Sequence, residues 1–353
     1  MPPRKTRAVE VVETDRLEGR AHPREHHALV GQDAALARAA GAIRSGRPPQ
    51  AWLIAGPPGI GKATLAYRIA RYMLAYGATD TGPADLSVPE RDPVSIQVAA
   101  GSHPGLLVLR RGINPDTGRL MTVVSVDEIR KLAGFFGMTS GAGGWRVAII
   151  DTADDMNENA ANALLKMLEE PPSRAMLLLL AHVPGKLLPT IRSRCRRLDL
   201  RPLDEAVLEA ELARLEPELG EKERASIARL SGGSLGMALQ LATGDGVALA
   251  DEADKLLDRA KAPDIVAVMA LADKIGRITD GLDQFGTFLT EALASRIRAA
   301  AQKNAPHLDR WVECLSALNE SFERSAGLHL EPRQTLISAG RALAATARRA
   351  GSV

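Results

Sequence analysis

The sequence predicts an α/β domain built on a parallel sheet, followed by a region that is helical throughout. Over the first 200 residues, short apolar segments of strand length alternate with helical segments, which is the pattern of a parallel sheet with helices on both faces. After about Arg201 the strand segments stop, and Ala/Leu-rich helical patterns continue to the end of the 353-residue chain. A chain of this length can hold more than one domain.

The elements of the predicted α/β region follow in order. A helical segment starts near Asp33, and a second helix over 62–76 comes after the first strand. A Gly-, Pro- and Asp-rich loop occupies 77–93. A further helix over 157–170 ends at Pro171, since proline cannot continue a helix. The predicted strands are "AWLIAG" (51–56), "GLLVLR" (105–110), "RVAII" (146–150) and "AMLLLLA" (175–181).

Composition excludes several classes of protein. The longest apolar run, 175–183, is far shorter than the ~20 residues of a membrane span, and the polar N-terminal region lacks the apolar core of a signal peptide. We therefore expect a cytoplasmic protein without a membrane partner. Cys195 and Cys314 form no Cys-x-x-Cys pair, which predicts plain thiols and no zinc. A net charge of +2 says little about nucleic acid.

The first candidate site is the glycine-rich turn between the first strand and its helix. Glycines there let backbone N–H groups converge on a phosphate, and the helix N-terminus favours an anion. Lys62 would reach the outer phosphates, but Ala63 stands where a Ser or Thr normally binds Mg²⁺. Thr64 points about 100° further round the helix. The alternative is a glycine-rich turn without a ligand. The turn consists of Gly56, Pro57, Pro58, Gly59, Ile60, Gly61 and Lys62.

Two further segments carry charged candidates. Asp151 ends the strand 146–150 and is placed to hold Mg²⁺ through water, or simply to cap a turn. The next residue, where a catalytic Glu would polarise water, is Thr152, which cannot act as a base at neutral pH. Five arginines follow the strand 175–181, and a solvated basic face is the simplest interpretation of such a cluster. They are Arg192, Arg194, Arg196, Arg197 and Arg201.

Together these segments resemble the bacterial clamp-loader subunits of the AAA+ superfamily. The resemblance covers about residues 29–200 in the family's order, and the Ser-Arg-Cys triplet ending at Cys195 is specific to the family. It rests on "LVGQDAAL", "GPPGIGKATLA", "HPGLLVLR", "VVSVDEIRKL", "VAIIDTADDMNENAANALLKMLEEPP" and "LLPTIRSRC".

The resemblance implies a domain plan and a set of partners. Residues 1–21 are expected to form a disordered tail, 22–200 the AAA+ P-loop α/β domain, 201–245 a small helical lid, and 246–353 a helical collar for oligomerisation. The partners would be motor subunits of the gamma/tau type and a delta subunit in a hetero-pentamer, with a sliding clamp and primer–template DNA reached through the complex. Such a chain belongs to a DNA-directed DNA polymerase holoenzyme, a nucleotidyltransferase complex.

The resemblance also assigns roles to particular residues. Arg194 corresponds to an arginine finger that enters a neighbouring subunit's ATP site, where a permanently charged planar guanidinium suits phosphoryl transfer. A lid arginine of motor subunits is replaced by Gly236. Gly236, Ala63 and Thr152 thus each lack a side-chain group that an ATP-hydrolysing motor subunit uses. We therefore expect a stator with weak or absent ATPase activity, in which ATP or ADP could occupy the degenerate loop and Mg²⁺ would bind weakly if at all.

Two other functions stay open at the level of sequence. One is an ATP-hydrolysing motor subunit, which shares the P-loop and the Ser-Arg-Cys triplet but would need the groups missing at Ala63, Thr152 and Gly236. The other is a DNA-binding AAA+ loader module, which the near-neutral charge disfavours.

Overall fold

The chain forms two compact units that divide between Pro202 and Leu203. Each unit buries its own set of apolar residues. Residues 1–19, most of the predicted tail, lie outside the described residues. The computed structural model describes residues 20–112, 121, 123–137, 144–262, 264–278, 281–328 and 331–351.

The described part of the first unit alternates helices and strands. Its elements are α1 (Asp33–Arg44), β1 (Ala51–Ala55), α2 (Lys62–Tyr76), α3 (Pro93–Ala99), β2 (Leu106–Leu109), α4 (Val126–Gly137), β3 (Arg146–Ile150), α5 (Glu158–Glu169), β4 (Ala175–Ala181), α6 (Pro189–Arg194) and β5 (Arg196–Asp199). Short 3₁₀ turns lie at Pro23–Glu25, Ala153–Asp155 and Pro184–Lys186.

The five strands form one parallel sheet in the order β2-β3-β4-β1-β5. β1 and β4 are buried along their whole length, because helices cover both faces. Trp52 and Ile54 of β1 enter the core on one face, and Leu53 enters the core on the other. The predicted α/β class is thereby confirmed. All five carboxyl ends lie at one edge of the sheet, where the candidate loop begins.

Four elements of the first unit were absent from the sequence-based prediction: the helices α3, α4 and α6 and the strand β5. β5 lies at the edge of the sheet, and among its four residues only Leu198 is buried. An edge strand can therefore be polar, and no apolar run marks it. α3 begins after the predicted loop, and Asp92 caps it by accepting a hydrogen bond from the N–H of Val94 at 2.8 Å. None of the four elements alters the class of fold.

The described part of the second unit is helical, which confirms the second half of the prediction. α12 packs against α10 and α13, and α14 packs against α11 and α13. A Cβ on Gly286 would lie 2.7 Å from Cγ of Phe322, so α12 and α13 approach closely at a glycine. The helices are α7 (Glu205–Leu215), α8 (Glu221–Leu230), α9 (Leu235–Leu241), α10 (Gly246–Asp258), α11 (Ile265–Ile275), α12 (Gly281–Gln302), α13 (Leu308–Leu328) and α14 (Pro332–Ala350).

Among the described residues, none of the helices has both the length and the apolar character that crossing a bilayer requires.

Candidate functional site

The candidate loop connects the carboxyl end of β1 to the first turn of α2, as predicted. Its glycines are needed by the backbone itself: Gly59 has φ +66° and Gly61, which precedes α2, has φ +101°. A Cβ on Gly56 would lie 3.0 Å from the carbonyl oxygen of Leu200. Ile60 is 3% exposed and packs in the core, whereas Pro58 is exposed at the tip. The loop is therefore a cradle that side chains other than glycine would fill.

Lys62 closes this cradle from inside. Its ammonium Nζ donates to the carbonyl oxygens of Gly56, at 2.8 Å, and Pro57, at 2.6 Å. Nζ also lies 2.9 Å from Nδ1 of His182, and the residue as a whole is only 5% exposed. An ammonium has three N–H donors, so these three acceptors match its capacity. A phosphate bound in the loop would have to replace some of them.

His182 reaches the loop because β1 and β4 are neighbours. Ala55 pairs with Ala181 at the ends of these parallel strands, so the residue after each strand lies at the same edge. Burial, and then the charge of Lys62, lower the pKa of His182 to about 4, with a small opposite effect of Asp154. His182 is thus neutral at neutral pH, and Nδ1 must be the acceptor, since an ammonium has no lone pair.

Asp154 fixes the backbone on which His182 stands. Its Oδ2 accepts the N–H of His182 at 3.0 Å and the N–H of Val183 at 2.7 Å. Its other oxygen, Oδ1, is buried and has no hydrogen-bond partner within the described part of the chain. Asp154 therefore links the turn after β3 to the turn after β4, and both border the cradle edge of the sheet.

Asp151 ends β3 at this same edge, where the sequence placed it. It is 8% exposed, and its Oδ1 accepts the N–H of Thr152 at 3.0 Å. Thr152 has φ +51°, and its hydroxyl donates to the carbonyl of Asp151 at 2.8 Å. The hydroxyl is thus turned onto the backbone and does not serve as a base.

The donor set fits a phosphate better than it fits Mg²⁺. The glycine cradle and Lys62 supply N–H donors and positive charge. Mg²⁺ requires oxygen ligands, and Ala63, partly buried against the core beside Lys62, has none. Thr64 lies in the same first turn of α2. Within the described ranges, no three His, Cys, Asp or Glu side chains gather in a way that could hold a metal ion.

Arg194 lies at the opposite edge of the sheet from this cradle. It is the last residue of α6, which leads into the amino end of β5. A shallow cleft of about 330 Å³ is lined both by Arg194 and by Gln50 and Ala51 at the amino end of β1. The length of β1, at ~3.3 Å per residue, therefore separates Arg194 from the loop that follows Ala55.

The guanidinium of Arg194 is held at the surface. Its side chain is 37% exposed and bonds Glu169, with Nη2 to Oε1 at 2.9 Å. Nη1 donates to the carbonyl of Thr190 at 3.1 Å. The neighbouring Cys195 is buried, and burial raises the pKa of its thiol to about 11, so it remains protonated and anchors α6 in the core together with Ile191.

Three residues of these sites were missed by sequence reasoning. His182 comes directly after β4, and a polar residue at the carboxyl end of a buried parallel strand was the signal that could have found it. Asp154 lies in the turn that follows β3. Glu169 carried no such signal, because its role depends on the packing of α5 against α6. Gly236, predicted to replace a lid arginine, lies in the first turn of α9, which Ser234 caps.

Comparison with known proteins gives matches to subunits of DNA polymerase III. A family model described as "DNA polymerase III, delta subunit" matches residues 31–204. The DNA polymerase III subunit delta' of Pseudomonas aeruginosa is 40% identical over 185 residues, covering 52% of this chain and 53% of that protein. The same subunit of Escherichia coli is 34% identical over 205 residues, covering 57% of each.

A second kind of subunit also matches. The DNA polymerase III subunit gamma/tau of Mycobacterium bovis is 31% identical over 195 residues, covering 53% of this chain and 30% of that protein. The chain thus spans only about half the length of the delta' relatives it matches.

Proposed function

We propose that this chain, whose residues 31–204 match the family model described as "DNA polymerase III, delta subunit", is a delta-prime-like subunit of a clamp loader in DNA replication. It assembles with motor subunits of the gamma/tau type and a delta subunit in a hetero-pentamer that places a sliding clamp on primer–template DNA. Its own part is that of a stator: it presents Arg194 to the ATP site of a neighbouring motor subunit.

The position of Arg194 carries this proposal. The residue is exposed and lies at the amino end of the strands, while the chain's own phosphate cradle lies at the carboxyl end. An arginine side chain is too short to span the strand between them. Arg194 therefore has no route to a nucleotide in its own loop, whereas a nucleotide on a neighbouring subunit docked against this face would be within reach.

The residues of the cradle also support the proposal that ATP is hydrolysed by the neighbouring motor subunit and not by this chain. Ala63 supplies no Mg²⁺ ligand, and the hydroxyl of Thr152 is bonded to the backbone. Lys62 is bonded within its own loop and to His182. Without a metal ligand or a base, the loop has no means of activating water. The chain's own ATPase activity is thus weak or absent.

Nucleotide binding without hydrolysis remains compatible with the cradle. ATP or ADP would be held by backbone N–H groups of the glycine turn and by Lys62, after Lys62 leaves the carbonyls of Gly56 and Pro57. The phosphate oxygens of the nucleotide would replace those neutral carbonyl oxygens as acceptors of the ammonium's hydrogen bonds. Mg²⁺ would bind weakly, since Ala63 contributes no ligand.

The helical second unit is assigned two roles. Residues 201–245, with α7, α8 and α9, form the lid, and residues 246–353, with α10 to α14, form the collar that joins subunits. In support of the boundary, α10 begins at Gly246 after a turn.

Assembly tests the proposal directly. The full-length chain is mixed with purified gamma/tau and delta subunits and analysed by size-exclusion chromatography with light scattering. The proposal predicts one complex containing all three kinds of subunit. Failure of the chain to join gamma/tau and delta under conditions where a known delta' subunit joins would contradict it.

The second candidate is a motor subunit, which the match to gamma/tau favours. It is tested on the isolated chain by steady-state ATP hydrolysis, comparing wild type with Lys62→Ala. Turnover that Lys62→Ala abolishes would establish the motor function in place of the stator. The proposal predicts no Lys62-dependent turnover.

A further inference from the structure

Glu169 occupies a position where a carboxylate is disfavoured by its own helix. It is the last residue of α5, and the partial negative charge at a helix C-terminus repels an acidic side chain. Pro171 follows two positions later, so the helix cannot continue and place Glu169 farther from the negative end of its dipole. Nearby cations offset this repulsion: Lys166 lies in the last turn of the same helix, and Arg194 forms the ion pair with Glu169.

The contacts of Arg194 fix the plane of its guanidinium and leave donors free. Nη2 donates to Oε1 of Glu169 at 2.9 Å, and Nη1 donates to the carbonyl of Thr190 at 3.1 Å. A guanidinium carries five N–H donors in a rigid fork, so two contacts leave three donors. Arg194 can therefore keep both contacts while its remaining N–H groups meet an anion outside the subunit.

Both anchoring groups stand on fixed parts of the fold. Leu168, next to Glu169, is 8% exposed, and Ile191 of α6 is fully buried. Both lie in the same core under the sheet. The helices α5 and α6 pack directly on each other. The spacing between Glu169 and the backbone of Arg194 is thus set by the core and not by mobile loops.

The pair contributes little to folding stability. The side chains of Arg194 and Glu169 are 37% and 51% exposed, and exposed ion pairs stabilise proteins only marginally. The ion pair therefore adds little to folding stability. Its effect on the orientation of Arg194, the residue presented to the neighbouring subunit, explains it better.

We propose that Glu169 is a positioning residue for Arg194, which holds the guanidinium in the orientation that a neighbouring subunit's ATP site receives. This rests on the proposed trans role of Arg194. Glu169 touches no substrate; it acts by removing rotamer freedom from Arg194 before the subunits dock, so that less entropy is lost when the finger engages.

The test uses the assembled clamp loader and measures kcat and KM for clamp-dependent ATP hydrolysis. Glu169→Ala is expected to lower kcat about three- to ten-fold, the effect of one freed long side chain, with KM for ATP unchanged. Glu169→Gln keeps an oxygen acceptor and should retain most of the activity. Glu170→Ala is the matched control, because Glu170 is an exposed carboxylate at the same helix end, and it should behave as wild type.

Non-additivity separates positioning from a general effect on the helix end. In an Arg194→Ala background, adding Glu169→Ala should change kcat no further. Equal kcat in Glu169→Ala and wild type, with Arg194→Ala impaired, would overturn the positioning role alone. An equal loss in Glu170→Ala, or a further loss in the double variant, would also overturn it. Wild-type turnover in Arg194→Ala would overturn the proposed function itself, and the role of Glu169 with it. Assembly of each variant, followed by light scattering, verifies folding.

Discussion

The ammonium of Lys62 lies 2.9 Å from Nδ1 of His182, two residues 120 positions apart in the chain. The contact joins the first turn of α2 to the residue after β4, and it exists because β1 and β4 are paired in parallel. A lysine that would face phosphate in a nucleotide-binding loop is thereby bonded to a neutral imidazole. This relationship, together with Ala63 and Thr152, supports the proposal that the loop does not hydrolyse ATP.

Acid should destabilise the protein through His182. The pKa of His182 is lowered to about 4 from an ordinary 6.5. Between these two pH values the imidazole is protonated in the unfolded chain but neutral in the folded chain. The free energy of unfolding therefore falls as pH drops from about 6.5 to about 4, by at most roughly 3 kcal/mol from this group. Urea unfolding at several pH values measures the effect.

His182→Asn is the control for this pH dependence. Asparagine does not titrate, and its amide oxygen can still accept from Lys62. The variant should lose stability less steeply than wild type between pH 6.5 and 4. Parallel stability curves for the two proteins would show that His182 is not the titrating group.

Ala63→Thr should restore a ligand for Mg²⁺ without restoring turnover. The added hydroxyl would stand where this motif normally binds the metal. Affinity for nucleotide in the presence of Mg²⁺ should rise roughly ten-fold, which corresponds to about 1.4 kcal/mol. Hydrolysis should stay absent because Thr152 stands where a catalytic Glu would polarise water, and a hydroxyl cannot act as a base at neutral pH. Titration calorimetry with and without Mg²⁺ measures the change.

Ala63→Val separates the hydroxyl from the added bulk, since valine and threonine have nearly the same shape. The valine variant should show no Mg²⁺-dependent gain. If both variants bind Mg²⁺-nucleotide equally well, the absence of a hydroxyl is not what weakens metal binding.

Gly56→Ala should be strongly destabilising. The new Cβ would lie 3.0 Å from the backbone carbonyl of Leu200, and the backbone of Gly56 has φ +156°. A backbone atom cannot move aside as a flexible side chain can, so we expect a loss of about 1–3 kcal/mol. Chemical unfolding of the variant measures this loss.

Gly41→Ala, in the same unit, should instead stabilise the protein. Gly41 lies inside α1, and a Cβ there would meet nothing within 4 Å. Alanine should stabilise the helix by about 0.5–1 kcal/mol. Similar destabilisation of both variants would contradict the assignment of strain to Gly56.

The sequence correctly predicted those structural features that depend on a single segment of the chain. β1 and β4 are continuous apolar runs because both faces of a parallel strand are buried, and the glycines of 56–61 are forced by the backbone. Both features were predictable without a structure. The class of each unit followed from the same local patterns.

The features that could not be predicted depend on the pairing of distant segments. His182 became part of the site only through the strand order that places β4 beside β1. Glu169 contacts Arg194 because α5 packs on α6. β5 was not predicted because this edge strand buries one residue, Leu198, and has no apolar run. In each case the decisive contact joins residues that no local periodicity relates.

The most direct test of the central claim is single-turnover ATP hydrolysis by the assembled clamp loader, with Arg194→Ala compared with Arg192→Ala. The two arginines share α6 and an exposed position, but they are two residues apart and point in different directions. Removal of a trans arginine should slow hydrolysis at the neighbouring site by roughly ten-fold or more, while Arg192→Ala stays near wild type. Wild-type hydrolysis in an assembled Arg194→Ala complex would contradict the account.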